Sequence, residues 1–359
     1  MTLRAHRDRY RVPLAAAFET ARLAFAERRG TLLTLEEDGG RCGRGEAAPL
    51  PGYSDDALES AEALLDVVDF TGLPPLSELD RVARWIEGRL PRHAPSARSA
   101  LETALLELAA VRRSVPLHAL LAEPDRAGPS PRPLSALVAA GPREAVEAEV
   151  AGALVSGFTT VKLKVGKPGA FEQELLTLRA LRRAHGSALR LRLDANGAFP
   201  PDEASARLRA LADLEPELVE DPVPRGVSLL ESPPVPVALD EVLRDPLPDF
   251  GALRERYGVV AVVLKPTVLG GLLACRRLAR AARGSGIATI VSHTFEGPVG
   301  YAAACELALS LPESPFAEGL APHSGLGPWG ALPAALSGAR LVPHDRPGLG
   351  LRRLSVLAP

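Results

Sequence analysis

A chain of 359 residues is long enough for one large α/β unit and a smaller companion domain. Its formal net charge of −2 excludes the strongly basic surface of a nucleic-acid binder and the acidic tail that meets a basic partner. No apolar run is long enough to span a bilayer, the N-terminus MTLRAHRDRYRVPL has no apolar signal core, and three widely spaced cysteines fit free thiols in a reducing cytoplasm better than a disulfide framework.

Read in chain order, RDRYRVPL (7–14) and GTLLTLEEDGGRCGRGEA (30–47) alternate apolar and polar residues around EDGG, a hairpin signal. The Pro/Gly loop APLPGYSDD follows, and Ser54 and Asp55 are placed to cap a helix over ALESAEALLDVVDF (57–70). Helical spacing continues in LSELDRVARWIEGRL and SARSALETALLELAAVRR. DRAGPSPRP then marks a boundary. Beyond it, PLSALVAA, TTVKLKV, LRLRLDAN, ELVEDP, VPVALDE, VVAVVLKP, ATIVSHT and FAEGLAP are eight short strands. Most are separated by amphipathic helical runs such as REAVEAEVAGALVSG and FEQELLTLRALRRAHG, and this alternation predicts parallel βα units. The Pro-rich link from ELVEDP to VPVALDE is too short for a full helix. Cys275 and Cys305 fall in Ala/Leu-rich helical stretches and are expected to be buried. The expected architecture is a modified (β/α)8 barrel over 133–338, an N-terminal α+β capping domain over 1–128, and a tail over 339–359 that returns to the cap. No GxGxxG opens a helix after the first strand, which counts against a dinucleotide fold.

Charge is concentrated at the strand ends. Asp194, Glu220 and Asp240 each end an apolar run, Lys162 and Lys164 stand on TTVKLKV, and Lys265 ends VVAVVLKP. Lys162 and Lys164 are two apart, so on a strand they share a face; so do Arg192, Asp194 and Asn196. One charged strand end is ordinarily a solvated sheet edge. Six of them in barrel order are poorly explained that way, because the C-terminal strand ends of such a barrel converge on one mouth. Three carboxylates there suit a hard divalent cation such as Mg²⁺. Lysines around that cation suit proton abstraction beside a carboxylate it holds.

With these motifs the chain resembles the enolase superfamily in its muconate-lactonising branch. That branch carries KxK on the second barrel strand (Lys162, Lys164), DxN on the third (Asp194, Asn196), Glu-Asp-Pro on the fourth (Glu220, Asp221, Pro222), Asp-Glu on the fifth (Asp240, Glu241) and Lys on the sixth (Lys265). Phe199 stands where relatives often have Trp. The related sugar-acid dehydratases and mandelate racemase use a His at the end of strand seven, oriented by an Asp on strand six. Here His293 follows Ser292, but strand six ends in Lys265, so His293 is expected to be a wall residue.

Within the branch, the loop GEAAPLPGYSDD and the helix beginning PSARSALETALLEL resemble those of the o-succinylbenzoate synthases. The resemblance implies a hydro-lyase that makes o-succinylbenzoate for menaquinone. Asp194, Glu220 and Asp240 would hold Mg²⁺, with Mn²⁺ able to take its place. Lys164 would be the base, its charge disfavoured by the cation and by Lys162; Lys265 would be a cation across the site. Arg192, Asn196, Glu241, Tyr53 and Ser292 would support ligands or touch substrate. The expected partner is a small carboxylate, with no nucleic acid and no membrane, and a homo-oligomer is compatible with the sequence. An N-acylamino acid racemase or dipeptide epimerase shares the same barrel residues and stays open. FAEGLAPHSG carries no Asp-x-Asp, which counts against the epimerase. A catalytically dead barrel would not need all six charged positions.

Overall fold

The structure, a computed structural model, describes residues 3–19, 24–123, 128–240, 243, 248–329 and 335–351. The N-terminal part is an antiparallel sheet of β1 (Leu3–Glu19), β2 (Ala24–Glu37) and β3 (Cys42–Ala47). The EDGG hairpin forms as its sequence predicts: Gly40 N–H donates to Glu37 O, and Gly39 and Gly40 take positive φ. Four helices follow: α1 (Leu58–Asp66), α2 (Leu79–Glu87), α3 (Pro95–Arg113) and α4 (Leu117–Leu121). Ser54 and Asp55 do not cap α1. Ala57 is the N-cap, with no side-chain bond, while Ser54 Oγ accepts from Leu50 N–H inside the preceding turn. The helix also stops at Asp66, four residues short of the expected end.

Helix α3 is buried over most of its length, as its nearly continuous run of small and apolar residues dictates. Strand β3 lies so close to it that a Cβ at Gly43 or Gly45 would fall 2.0 Å from Ala104 O or 1.8 Å from Ala100 O. Those two glycines permit the contact.

After β4 (Arg132–Pro133) come seven parallel strands in sequential order: β5 (Ser135–Val138), β6 (Thr160–Lys164), β7 (Arg190–Asp194), β8 (Leu218–Glu220), β9 (Val237–Leu239), β10 (Val259–Leu264) and β11 (Ala288–Val291). The eighth expected strand is reduced to two bridges, Leu134 with Glu318 and Ser292 with Gly319. These join the two edge strands through a single segment. Helices α5 (Arg143–Val155), α6 (Phe171–His185), α7 (Ala204–Ala212), α8 (Phe250–Tyr257), α9 (Pro266–Leu269), α10 (Leu272–Gly284) and α11 (Pro298–Ser310) complete the layer. No helix forms between β8 and β9, as the Pro-rich link requires. Val161, Leu163, Leu191 and Leu193 point outward into a core shared with α5, α6 and α7, so the alternate residues face inward. Cys275 and Cys305 are buried in α10 and α11 and, like the half-buried Cys42, are free thiols.

Three buried side chains of the N-terminal part bind the strand–helix ring. Glu46 accepts from Gly297, Val299 and Gly300 N–H at the start of α11 and from Tyr10 Oη. Glu102 accepts from Leu273 N–H at the start of α10 (2.9 Å). Both use free amides at a helix N-terminus. Arg28 donates to Ala48 O, to Pro49 O (3.1 Å) and to Phe295 O (3.0 Å). Among the later described residues, β12 (Ala335–Ser337) and β13 (Arg340–Val342) form a sheet with β4. Further on, Gly348 N–H donates to Val115 O, and Leu117 N–H donates to Gly348 O, between α3 and α4.

Candidate active site

Register assembles the site. Lys164 pairs with Asp194, and Asp194 with Glu220, so three inward-facing side chains stand side by side on β6, β7 and β8. Asp240 follows β9 and Lys265 follows β10. Lys162 Nζ donates to both Glu220 oxygens (2.8 and 2.7 Å) and lies 2.8 Å from Asp194 Oδ2. Lys164 Nζ donates to Asp194 Oδ2 (2.9 Å) and to Asn196 Oδ1. Lys265 Nζ donates to Asp240 Oδ2 and to Tyr53 Oη (2.8 Å), and Tyr53 Oη donates to Asp240 Oδ2 (2.7 Å). The aromatic ring of Tyr53 lies 4.8 Å below the Lys265 ammonium.

The electrostatics follow from this packing. Burial alone would raise the Asp194 carboxyl, but the Lys162 and Lys164 ammoniums overcome it and hold the group below the usual carboxylate range. Burial raises Glu220 despite Lys162. Burial would lower Lys162, but Asp194 and Glu220 outweigh it and raise the group; Asp240 does the same for Lys265. Asp194, Glu220 and Asp240 are all nearly fully buried, Asp194 and Glu220 against Lys162 and Asp240 against Lys265, an all-oxygen donor set of the kind a hard divalent cation takes.

Asn196 carries φ 44°, and its N–H donates to Asp194 Oδ1 (3.0 Å), which fixes that carboxylate. Asp221 stands in the Glu-Asp-Pro motif with no role predicted for it. Its φ is 40°, and its Oδ1 accepts from Asp240 N–H (3.1 Å), linking two of the acidic strand ends. Leu137 was also missed. It pairs with Lys162 across β5 and β6, shares that inward face, and is 37% exposed, an apolar wall beside the lysines. Its only signal is the register, which one strand's sequence does not carry.

Arg192 has a different setting from the one expected. Its Nε donates to Glu217 (2.5 Å) before β8, its Nη1 to Ala317 O (2.7 Å), and its Cζ lies 5.6 Å from the Phe316 ring centroid. It fills the interior away from the carboxylates. Ser292 Oγ donates to Gly319 O (3.1 Å) at the closing seam. His293 Nε2 donates to Ala321 O (3.1 Å), while its Nδ1 accepts from Phe295 N–H (3.2 Å). Neither nitrogen is free for proton transfer, and burial lowers the basicity of the ring. Phe199 is buried edge-to-face against Phe171. Glu241 lies outside the described residues.

A model of the enolase C-terminal domain-like family matches residues 145–353, more than half of the chain. The chain belongs to the enolase superfamily. A second model, MenC N-terminal domain, matches residues 3–70. The o-succinylbenzoate synthase of Thermobifida fusca is 39% identical over 197 residues, 53% of this chain and 59% of that protein. Protein PHYLLO of Arabidopsis thaliana is 32% identical over 303 residues, 77% of this chain but 17% of its own length. The chain therefore spans less than two thirds of either relative. The L-Ala-D/L-Glu epimerase of Bacillus subtilis is 27% identical over 323 residues, 86% of this chain and 85% of that protein. Its substrate-liganded structure superposes with a TM-score of 0.84 at 25% identity, over 98% of this chain and 99% of that one. A dipeptide epimerase of Methylococcus capsulatus, complexed with Mg and a dipeptide, superposes with a TM-score of 0.81 at 26% identity over 98% and 99% of the two chains. Within the enolase superfamily, the relatives of this chain thus include both lyases and epimerases.

Proposed function

We propose that this enolase-superfamily enzyme is an o-succinylbenzoate synthase, which dehydrates 2-succinyl-6-hydroxy-2,4-cyclohexadiene-1-carboxylate. The observation that carries the reading is the match of residues 3–70 to the MenC N-terminal domain, because that segment brings Tyr53 to Lys265 and Asp240. The Thermobifida relative supports it. A magnesium ion held by Asp194, Glu220 and Asp240 would supply Lewis-acid stabilisation of negative charge on the substrate carboxylate.

Lys164 takes the proton α to that carboxylate. The C–H electron pair moves into the ring and expels the β-hydroxyl, and Lys164 returns its proton to that oxygen, so water leaves and the ring becomes aromatic. Lys162 keeps a positive charge beside Lys164 and holds Glu220. Lys265, across the site, places a cation against the ring. Tyr53 orients Lys265.

A second reading, an N-acylamino acid racemase or dipeptide epimerase, is favoured by the longer coverage of the Bacillus epimerase. There Lys164 and Lys265 would exchange protons on opposite faces of one α-carbon. Against the dipeptide case, the carboxylate of the closing segment, Glu318, is turned away and accepts from Val291 N–H (2.6 Å). The test supplies the cyclohexadiene and an N-acylamino acid separately in D₂O. Rapid o-succinylbenzoate formation, lost in Lys164→Arg because a guanidinium stays protonated, supports the synthase. Fast α-deuteration of the amino acid without dehydration replaces it with the racemase.

A further inference from the structure

A second cluster of metal-ligating side chains lies apart from the barrel mouth. His118 on α4, Glu306 on α11 and His344 beyond β13 each present one donor atom, and these atoms all lie within 4.8 Å of one another. They come from three segments far apart in sequence. Glu306 Oε2 accepts from His118 N–H (2.7 Å) and lies 2.9 Å from His118 Nδ1. Its other oxygen lies 3.0 Å from His344 Nε2. That nitrogen is off the line of a hydrogen bond and makes none, although the His344 side chain is 9% exposed. The two imidazoles stand nearly perpendicular, 76° apart with centroids at 5.5 Å.

Charge sharpens the point. Glu62 and Glu107, comparably buried, each meet an arginine. Among the described residues, the ion-pair partners of Glu306 are the two histidines alone. A buried carboxylate gains most from a full positive charge.

We propose that His118, Glu306 and His344 form a structural site for a borderline-soft divalent cation such as Zn²⁺, one that ties α4, α11 and the C-terminal segment together. Zinc takes nitrogen and carboxylate oxygen at about 2.0–2.2 Å in a tetrahedral shell, so its donors stand roughly 3.3–3.6 Å apart. The three donor atoms lie within 4.8 Å of one another, so the two imidazoles and the carboxylate need only close inward onto one ion. The donor set also differs from the all-carboxylate mouth, and imidazole selects zinc where carboxylate oxygen selects magnesium. Loading has a local consequence. His344 Nδ1 accepts from Arg346 N–H (3.2 Å), and a cation on Nε2 moves the ring hydrogen to Nδ1, so this contact opens.

The test uses the full chain in excess Mg²⁺, which saturates the barrel carboxylates, titrated with Zn²⁺. The expected result is one further equivalent of zinc per chain, with two imidazole nitrogens in its X-ray absorption spectrum and a raised melting temperature. His344→Gln and His118→Gln, made separately and each checked for a cooperative melt, should both lose that equivalent. No zinc uptake in excess Mg²⁺, a zinc shell without imidazole, or unchanged uptake by either folded variant overturns the site. The spectrum of the unaltered chain decides even if neither variant folds.

Discussion

Glu102→Gln should remove a pH dependence from the stability of this protein. Glu102 sits on α3, fully surrounded, with Leu273 N–H on its carboxylate. Burial raises its carboxyl from 4.5 to about 7, against the opposing pull of the Leu273 amide and Arg277. At about 1.4 kcal/mol per pH unit, this difference is worth roughly 3 kcal/mol. An acid whose folded value lies above its unfolded one contributes stability that is complete below about pH 4.5 and lost as pH rises through about 7. Glutamine is neutral throughout and keeps an oxygen for Leu273 N–H. The variant should therefore gain on the parent by up to about 3 kcal/mol between about pH 5 and about pH 8. Urea unfolding of both chains across that range measures the difference. Glu318, also raised to about 7, titrates in both and cancels. Parallel stability profiles for the two chains would refute the assignment.

Chelation should abolish turnover and added Mg²⁺ restore it, and Asp240→Asn should weaken ion binding, read by calorimetry, while leaving the circular dichroism intact; full activity in metal-free buffer contradicts this. Tyr53→Phe removes the hydroxyl between Lys265 and Asp240. It should change KM or substrate preference and cost about 0.5–1.5 kcal/mol of stability for the lost hydrogen bonds, and steady-state kinetics alongside a melt checks both. Leu193→Ala, at a fully buried outward position of β7, should cost about 2–5 kcal/mol by denaturant unfolding without removing any site group.

The ring of parallel strands was legible because each strand carries a short apolar run, and five of the seven, β6 to β10, also carry a charge at or just past the end. That is why Lys162, Lys164, Asp194, Glu220, Asp240 and Lys265 could be picked out one strand at a time. Arg192 shows where periodicity stops being informative. Period two puts it on the inward face with Asp194, but the long side chain turns down to Glu217, and period says nothing of height. Leu137 needed the pairing of two strands to be recognised. The cap of α1 failed because a Ser before a helix can serve its own turn, as Ser54 does with Leu50. The cluster of His118, Glu306 and His344 left no local pattern, since its members are brought together only by the fold.

The carboxylates of Glu46 and Glu102 have a consequence for engineering. Each belongs to the N-terminal part yet completes the first turn of a helix in the strand–helix ring. The two parts therefore do not behave as exchangeable modules. A chimaera that joins this ring to the N-terminal region of a relative would leave the amides of α10 and α11 bare unless side-chain oxygens were supplied at the same two places. The loop around Tyr53 can be exchanged by itself, whereas the whole domain cannot be moved without these two side chains.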